Sequence, residues 1–269
     1  MGMNTKKLRN RIRSVDSTMH LTRAIGLVAA SKMRRATEAM LHGREYAAAV
    51  ERTARLLVRC PECRKSPYLR KKGNGRTCLV VIAGDRGLAG GYNANVFRLA
   101  AQFPEAEFLP VGKRACERFG GELTAEGFTY ADADEMARML CEGFAQDKWD
   151  RVGVIYTWYE FMLTQTADVR WLLPLRAGKS APCSVVFEPN EEEMLQAVVP
   201  EYVSGMLIAS VRESFASEVA ARRAAMDSAG KNASEMIEEL HLQYNRARQG
   251  AITQEITEIV AGSGGIKRR

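Results

Sequence analysis

What most constrains this 269-residue chain is its C-terminal stretch from Tyr202 to Ala261, which contains no proline and is dense in Ala, Glu, Met, Leu, Arg and Gln, the strong helix formers. As one helix it runs roughly 90 Å at about 1.5 Å per residue, too long for a domain of this size to bury throughout, so much of it must lie against a partner. Val203, Leu207, Ser210, Ser214, Ser217, Ala221, Ala224 and Ser228 follow one another at three- and four-residue steps. That spacing predicts an apposed face of mostly small side chains, along which another backbone comes close. After Lys231 the expected seam moves to Met236, Leu240, Tyr244 and Ala247, and Ile252, Ile256, Ile259 and Val260 form a new apolar surface at the far end. Gly205, Gly230 and Gly250 each cost a helix about 1 kcal/mol against alanine, so packing rather than propensity must hold this rod.

Residues 5–58 read as a second long helix. Leu8, Ile12, Val15, Met19, Thr22, Gly26, Ala29, Met33, Ala36, Met40, Gly43, Ala47, Val50, Ala54 and Leu57 alternate four- and three-residue steps without a break. That heptad seam predicts a left-handed supercoil, and Cys60-Pro61 supplies a stop. Two long helices at opposite ends of a chain pair most simply as an antiparallel coiled coil, with the intervening domain inserted at the closed end.

Between the helices, residues 59–76 form a basic linker punctuated by Pro and Gly, and residues 77–200 alternate strand and helix signals. TCLVVIAG, EFLPVG and RVGVIYTWY are short β-branched or apolar runs, separated by helical spacing at Asn93–Phe103, at KRACERFG and at Ala133–Gln146. The alternation predicts an inserted, Rossmann-like α/β domain with a mainly parallel sheet. Phe161–Leu173 is expected to pair back on the strand before it, SVVFEP to add a last strand, and Pro200 to mark entry into the long helix. The expected division is thus 1–58 N-terminal helix, 59–76 linker, 77–200 α/β domain, 201–262 C-terminal helix and 263–269 flexible basic tail.

Composition limits the function classes. At 46% hydrophobic and 26% charged residues, with no run of 18 apolar residues, the chain has the make-up of an ordinary soluble protein. The N-terminus MGMNTKKLRNRIR lacks a signal-peptide core, and Lys6 stands where myristoylation needs Ser or Thr. Six cysteines without small-domain spacing suggest reduced thiols in a cytosolic compartment. Charge is uneven: residues 1–72 carry 18 Lys/Arg against 5 Asp/Glu, and residues 73–200 carry 12 against 18. A basic arm joined to an acidic domain suggests that the arm meets a negatively charged partner.

No constellation supports chemistry within the chain. Cys60 and Cys63 form a lone CxxC without the further ligands a zinc site needs. The glycine-rich turn Gly84–Asn93, GDRGLAGGYN, follows a strand as phosphate-binding turns do, yet it matches neither GxGxxG nor GxxxxGK[ST]. It reads better as a tight turn that brings backbone close to a neighbour. His20, His42 and His241 all lie on the rods, away from any nucleophile of the α/β domain, and Glu191, Glu192 and Glu193 suit a helix N-terminus. No cofactor or metal is expected.

Three stretches together resemble the gamma subunit of the rotary ATP synthase, the central-stalk rotor. They are RIRSVDSTMHLTRAIGLVAASKMRRA (Arg11–Ala36), GDRGLAGGYN, and LQYNRARQGAITQEITEIV (Leu242–Val260), and the likeness covers essentially the whole chain, including LLPL at Leu172–Leu175. The resemblance implies an antiparallel coiled coil inside a hexamer of alternating alpha and beta subunits, with the base attached to epsilon and a membrane ring of c subunits. Ion flow would turn ring and shaft, and the shaft would force each catalytic beta subunit through its conformations, so that ATP is made in beta rather than here. Membrane association would run only through partners, on the cytoplasmic face of a bacterial plasma membrane. Carried over residue by residue, the contacts with beta fall on Arg248, Gln249, Thr253 and Glu255, and on Arg23 and Ile25 of the N-terminal helix. Ile252, Ile256, Ile259 and Val260 would form the bearing at the shaft tip.

This sequence departs from the family's pattern. Ile25 replaces a methionine, Gly26 a common lysine, Gly84 and Ala89 a Ser and a Cys, and the end GSGGIKRR an apolar tip. CPEC is not the regulatory dithiol of chloroplast gamma subunits, so no redox control is expected. Two other classes remain open from composition alone. A coiled-coil nucleic-acid-binding protein would use the basic arm, and a nucleotide-dependent oxidoreductase the glycine-rich turn.

Overall fold

The computed structural model describes residues 2–70, 73, 75–161, 164–176, 188 and 190–264. Two long helices, α1 (Gly2–Leu57) and α5 (Glu191–Gly264), flank β1 (Thr77–Ile82), α2 (Tyr92–Ala100), β2 (Glu107–Val111), α3 (Lys113–Phe119), α4 (Tyr130–Ala145), β3 (Arg151–Phe161) and β4 (Thr164–Leu173). The chain divides into two units. One joins residues 1–28 to 225–269, and the other is Ala29–Ala224.

In the first unit the two ends of the chain run antiparallel. Arg9 meets Tyr244, Gly230 faces Thr22 and Gly26 faces Met226, so numbers fall on one helix as they rise on the other. The α1 seam is where its heptads put it: every position from Leu8 to Leu57 is buried or half-buried. On α5 this unit buries Met226, Ala233 and Leu240 and half-buries Gly230, Ile237, Tyr244, Ala247 and Ala251, an unbroken four-three rhythm. Two expected seam residues, Ser228 and Met236, are exposed instead, because the rhythm runs through Met226 and Ile237.

The second unit is built on a four-stranded sheet of order β2-β1-β3-β4, with β1 parallel to both β2 and β3, and β4 antiparallel to β3 as expected. Successive β1 residues serve opposite faces. Leu79 and Val81 pack with Val96, Ala100 and Ala115 of α2 and α3. Cys78, Val80 and Ile82 pack with Leu140 and Phe144 of α4, Leu57 of α1 and Leu207 of α5. The thiols of Cys78 and Cys141 are pushed up to about 12 by burial in this core.

Here the expected face of α5 is corrected. Gly205, Ala209 and Ala216 are what α1 meets: the first backs onto Tyr46 and Val50, the second onto Gly43, and the third packs with Ala36 and Met40. Ser210, Ser214 and Ser217 face the sheet. A buried hydroxyl is costly without a partner. Ser210 donates to the Met206 carbonyl of its own helix (2.7 Å), and for Ser214 and Ser217 the partner is a strand end. β3 runs past the end of β1, and there Thr157 N–H donates to Ser214 Oγ (3.0 Å) while Ser217 Oγ donates to the Thr157 carbonyl (3.2 Å).

Three boundaries also differ from expectation. α5 begins at Glu191 and carries Pro200 inside it, because Asn190 caps the helix: its Oδ1 accepts from Glu193 N–H at 2.9 Å and its amide donates to the Glu193 carboxylate at 2.7 Å. An interior proline costs about 3 kcal/mol. The buried side chains of Leu195, Val199, Val203 and Leu207 outweigh it, at about 1.5–3 kcal/mol each. Residues 59–70 of the expected linker are packed into the fold. Two 3₁₀ turns, Glu62–Lys65 and Pro67–Leu69, bury Cys60, Cys63 and Tyr68 in the core, with Tyr68 stacked on Phe144 at 6.4 Å. Cys63 donates to the Glu191 carbonyl and Cys60 to that of Leu56. At the other end α5 continues to Gly264, and residues 265–269 of the expected tail lie outside the described residues, as does the expected strand SVVFEP except Glu188. An eighteen-residue stretch of α5 is apolar enough to cross a membrane by composition, but 67% of it is buried in the fold, which makes it a core helix.

Candidate partner-binding surface

The glycine-rich turn is taken up by the protein itself. The carboxylate of Asp85 in the turn accepts from the amides of Lys113, Ala125 and Glu126 at 2.8–3.0 Å. Arg222 of α5 donates to the carbonyls of Arg86 and Gly87, both at 3.2 Å, and pairs with buried Glu218. Gly84 lies close against this pair: a Cβ there would stand 2.7 Å from the Glu218 carboxyl carbon, so a larger residue needs the Glu218 side chain to shift. The turn therefore docks strand to helix, as a tight turn should. Among the described residues no group of three or more His, Cys, Asp or Glu side chains is placed to hold a metal. His20, His42 and His241 are all exposed on the long helices.

The expected contact residues all fall in the first unit, where they occupy two places. Arg23 is exposed beside a shallow hollow formed with Met226, Asp227, Gly230, Lys231 and Ser234, and Ile25 is half-buried nearby in sequence. Arg248 and Glu255 line a cleft with Thr5, Arg9, Tyr244, Ile252 and Glu258. The two places are not brought together: from Gly230 to Arg248 the helix covers roughly 27 Å at about 1.5 Å per residue. Gln249 is exposed, and Thr253 is exposed with its hydroxyl donating to the Gln249 carbonyl at 3.0 Å. Ile252, Ile256, Ile259 and Val260 are 44%, 56%, 71% and 63% exposed, four large and largely exposed apolar side chains in nine residues.

One pair in the cleft was not singled out by the sequence. Arg9 donates to the Tyr244 hydroxyl at 2.8 Å, and its guanidinium lies 5.7 Å from the ring centre. This bond holds the Tyr244 phenol below its ordinary value and raises Arg9. The only signal was the place of Tyr244 on the seam, since pairing across 235 positions has no local signature.

Gly250 is exposed in the middle of this surface, and nothing lies within 4 Å of where its Cβ would be. Gly250→Ala is therefore expected to stabilise the isolated chain by up to about 1 kcal/mol, read as a raised midpoint in thermal unfolding. A lowered midpoint would mean that the helix is not continuous through this residue.

Comparison with known proteins bears on the whole chain. A family profile described as ATP synthase matches residues 4–265. The chain is similar to the ATP synthase gamma chain of Ruminococcus albus, at 41% identity over 97% of this chain and 98% of that protein. It is also similar to the ATP synthase gamma chain of a Geobacter species, at 36% over 98% and 99%. Its fold is similar to a chain of the Euglena gracilis mitochondrial ATP synthase (OSCP/F1/c-ring, rotational state 3), with TM-score 0.67, 19% identity and coverage of 99% and 95%. A chain of the Tetrahymena thermophila central stalk and c-ring gives TM-score 0.63 at 24% identity over 78% and 99%.

Proposed function

Because the chain belongs to the ATP synthase gamma-chain family, we propose that it is the central rotor shaft of that complex, turning inside a hexamer of alpha and beta subunits. The base binds epsilon and the ring of c subunits, and rotation driven by ion flow carries each beta subunit in turn through states of different nucleotide affinity. The same machine run backwards hydrolyses ATP and pumps ions. In this reading the chain performs no chemistry of its own. It is held peripherally at the cytoplasmic face of a bacterial plasma membrane through its partners.

The observation that carries the reading is the match of nearly the full length to gamma chains, together with the exposed C-terminal surface. Arg248, Gln249, Thr253, Glu255, Arg23 and Ile25 would meet beta, and Ile252, Ile256, Ile259 and Val260 the bearing. Contacts that form and break at each step must bias an orientation without locking it. Charge-assisted hydrogen bonds worth roughly 1.5–3 kcal/mol each suit that requirement. A nucleic-acid-binding role is not supported, since the family match spans both helices and the domain between them.

The test is reconstitution: this chain is mixed with alpha and beta subunits of its own source, the species are separated by size, and ATPase activity is assayed in each fraction. One copy in a large active complex is the expected result. A chain that elutes alone, beside a hexamer indifferent to it, would remove the rotor reading.

A further inference from the structure

Beyond the end of β1, strand β3 has an open edge, and the long helices complete it with side chains. The backbone N–H and carbonyl of Thr157 are paired from α5 by Ser214 and Ser217, as described above. Two residues on, Tyr159 is satisfied from both helices at once. Its N–H donates to Glu213 Oε1 of α5 at 3.4 Å, and its carbonyl accepts from Arg44 Nη2 of α1 at 2.6 Å.

Glu213 is the centre of this junction. Its side chain is 1% exposed, and Arg44 donates to its Oε1 from Nη2 at 2.5 Å and from Nε at 3.2 Å. Arg170 of β4 approaches its Oε2 at 4.0 Å while donating to Ser210 Oγ (3.1 Å) and to the Tyr156 hydroxyl (2.8 Å). Arg44 is held from the other side by Trp158, whose ring centre lies 4.3 Å from the guanidinium. One buried carboxylate thus ties together α1, α5, β3 and β4.

A buried ion pair is poor evidence for stability, because desolvation costs about as much as the pairing returns. What such a cluster supplies is geometry: charge-assisted bonds from several directions fix the orientation of the elements they join. We infer that Glu213 is the positioning residue through which torque passes between the sheet domain and both shaft helices. The inference rests on the rotor reading. Apolar packing resists separation but yields to sliding, whereas directional bonds at the strand overhang resist the twist of helices against sheet.

The test uses the assembled complex, with the hexamer fixed to a surface and a rod attached to the sheet domain, so that thermal fluctuation of the rod angle reports torsional stiffness. In Glu213→Gln the angular variance is expected to rise about twofold, because the bonds from Arg44 then end on an uncharged amide oxygen and no longer join opposite charges. ATP hydrolysis by the same complexes should stay at the wild-type rate. Since Glu213→Gln strands Arg44 without its counter-charge, the double variant Arg44→Gln with Glu213→Gln keeps a polar amide at each position and removes both charges. It should assemble, melt near the wild-type temperature and show the same rise in variance. Wild-type variance in either assembled variant overturns the inference. So does failure of the double variant to assemble, which would make the cluster a folding element. Failure of the rotor reading is distinguishable, because the wild-type chain itself would then not enter the complex.

Discussion

Replacing Arg248 and Gln249 together by alanine is expected to lower ATP hydrolysis by the assembled complex about tenfold to a hundredfold. The range follows from losing 1.5–3 kcal/mol of charge-assisted bonding in the rate-limiting step, at about 1.4 kcal/mol per factor of ten. The isolated chain should be indifferent to the change. Both side chains are exposed, and the hydrogen bond from the Thr253 hydroxyl ends on the backbone carbonyl of Gln249, which alanine retains. Circular dichroism and the thermal midpoint of the free chain should therefore match wild type, and incorporation into the complex should be complete. A control at Gln243→Ala, which loses only a bond to Glu239 one turn away on the same helix, should leave turnover unchanged. Unaltered hydrolysis and ion pumping in the double variant would remove these residues from the contact with beta and leave the fold untouched.

How far the fold could be read in advance depended on whether burial was one-sided. α1 is covered along one face, so its heptads state that face directly, and all fifteen seam positions from Leu8 to Leu57 are buried or half-buried. From Tyr202 to Ala220 α5 is buried almost all round, between α1 and the sheet. In such a segment periodicity cannot tell which neighbour takes which face. The serine stripe was real, but it belonged to an open strand edge that no local pattern announces. Asn190 was legible as a cap in principle, since Glu193 follows at the capping-box interval, yet Pro200 was the louder signal. Beyond the seam, periodicity marks Ile252, Ile256 and Ile259 as an apolar stripe, and these side chains are exposed. Roles for Arg248 or Gln249 come from the family motif alone, because a solvated helix arginine has the same local sequence.

The most damaging single substitution is expected at a glycine that touches no partner. Gly112 joins β2 to α3 at φ 98° and ψ 140°, a region that side chains with a Cβ scarcely enter. A Cβ added there would stand 1.9 Å from the carbonyl oxygen of Ala83. That oxygen resists moving, because the same peptide carries Gly84 N–H, which donates to Asn93 Oδ1 at 2.9 Å, and Gly112 N–H is bonded to the Leu123 carbonyl at 3.0 Å. Backbone strain of about 1–3 kcal/mol and overpacking of about 1–3 kcal/mol then add, against a total stability of order 5–15 kcal/mol. Gly120 separates the two contributions. It sits at a similar φ of 85° and ψ of 162°, with nothing within 4 Å of where its Cβ would be, so Gly120→Ala pays the strain alone. Urea unfolding should place Gly112→Ala well below Gly120→Ala, and Gly120→Ala below wild type. Equal losses in the two variants would mean that Ala83 is free to yield. The damage at Gly112 should also reach α5, since Ala83 leads directly into the turn that Arg222 grips, and forcing it away pulls Arg86 and Gly87 from that guanidinium.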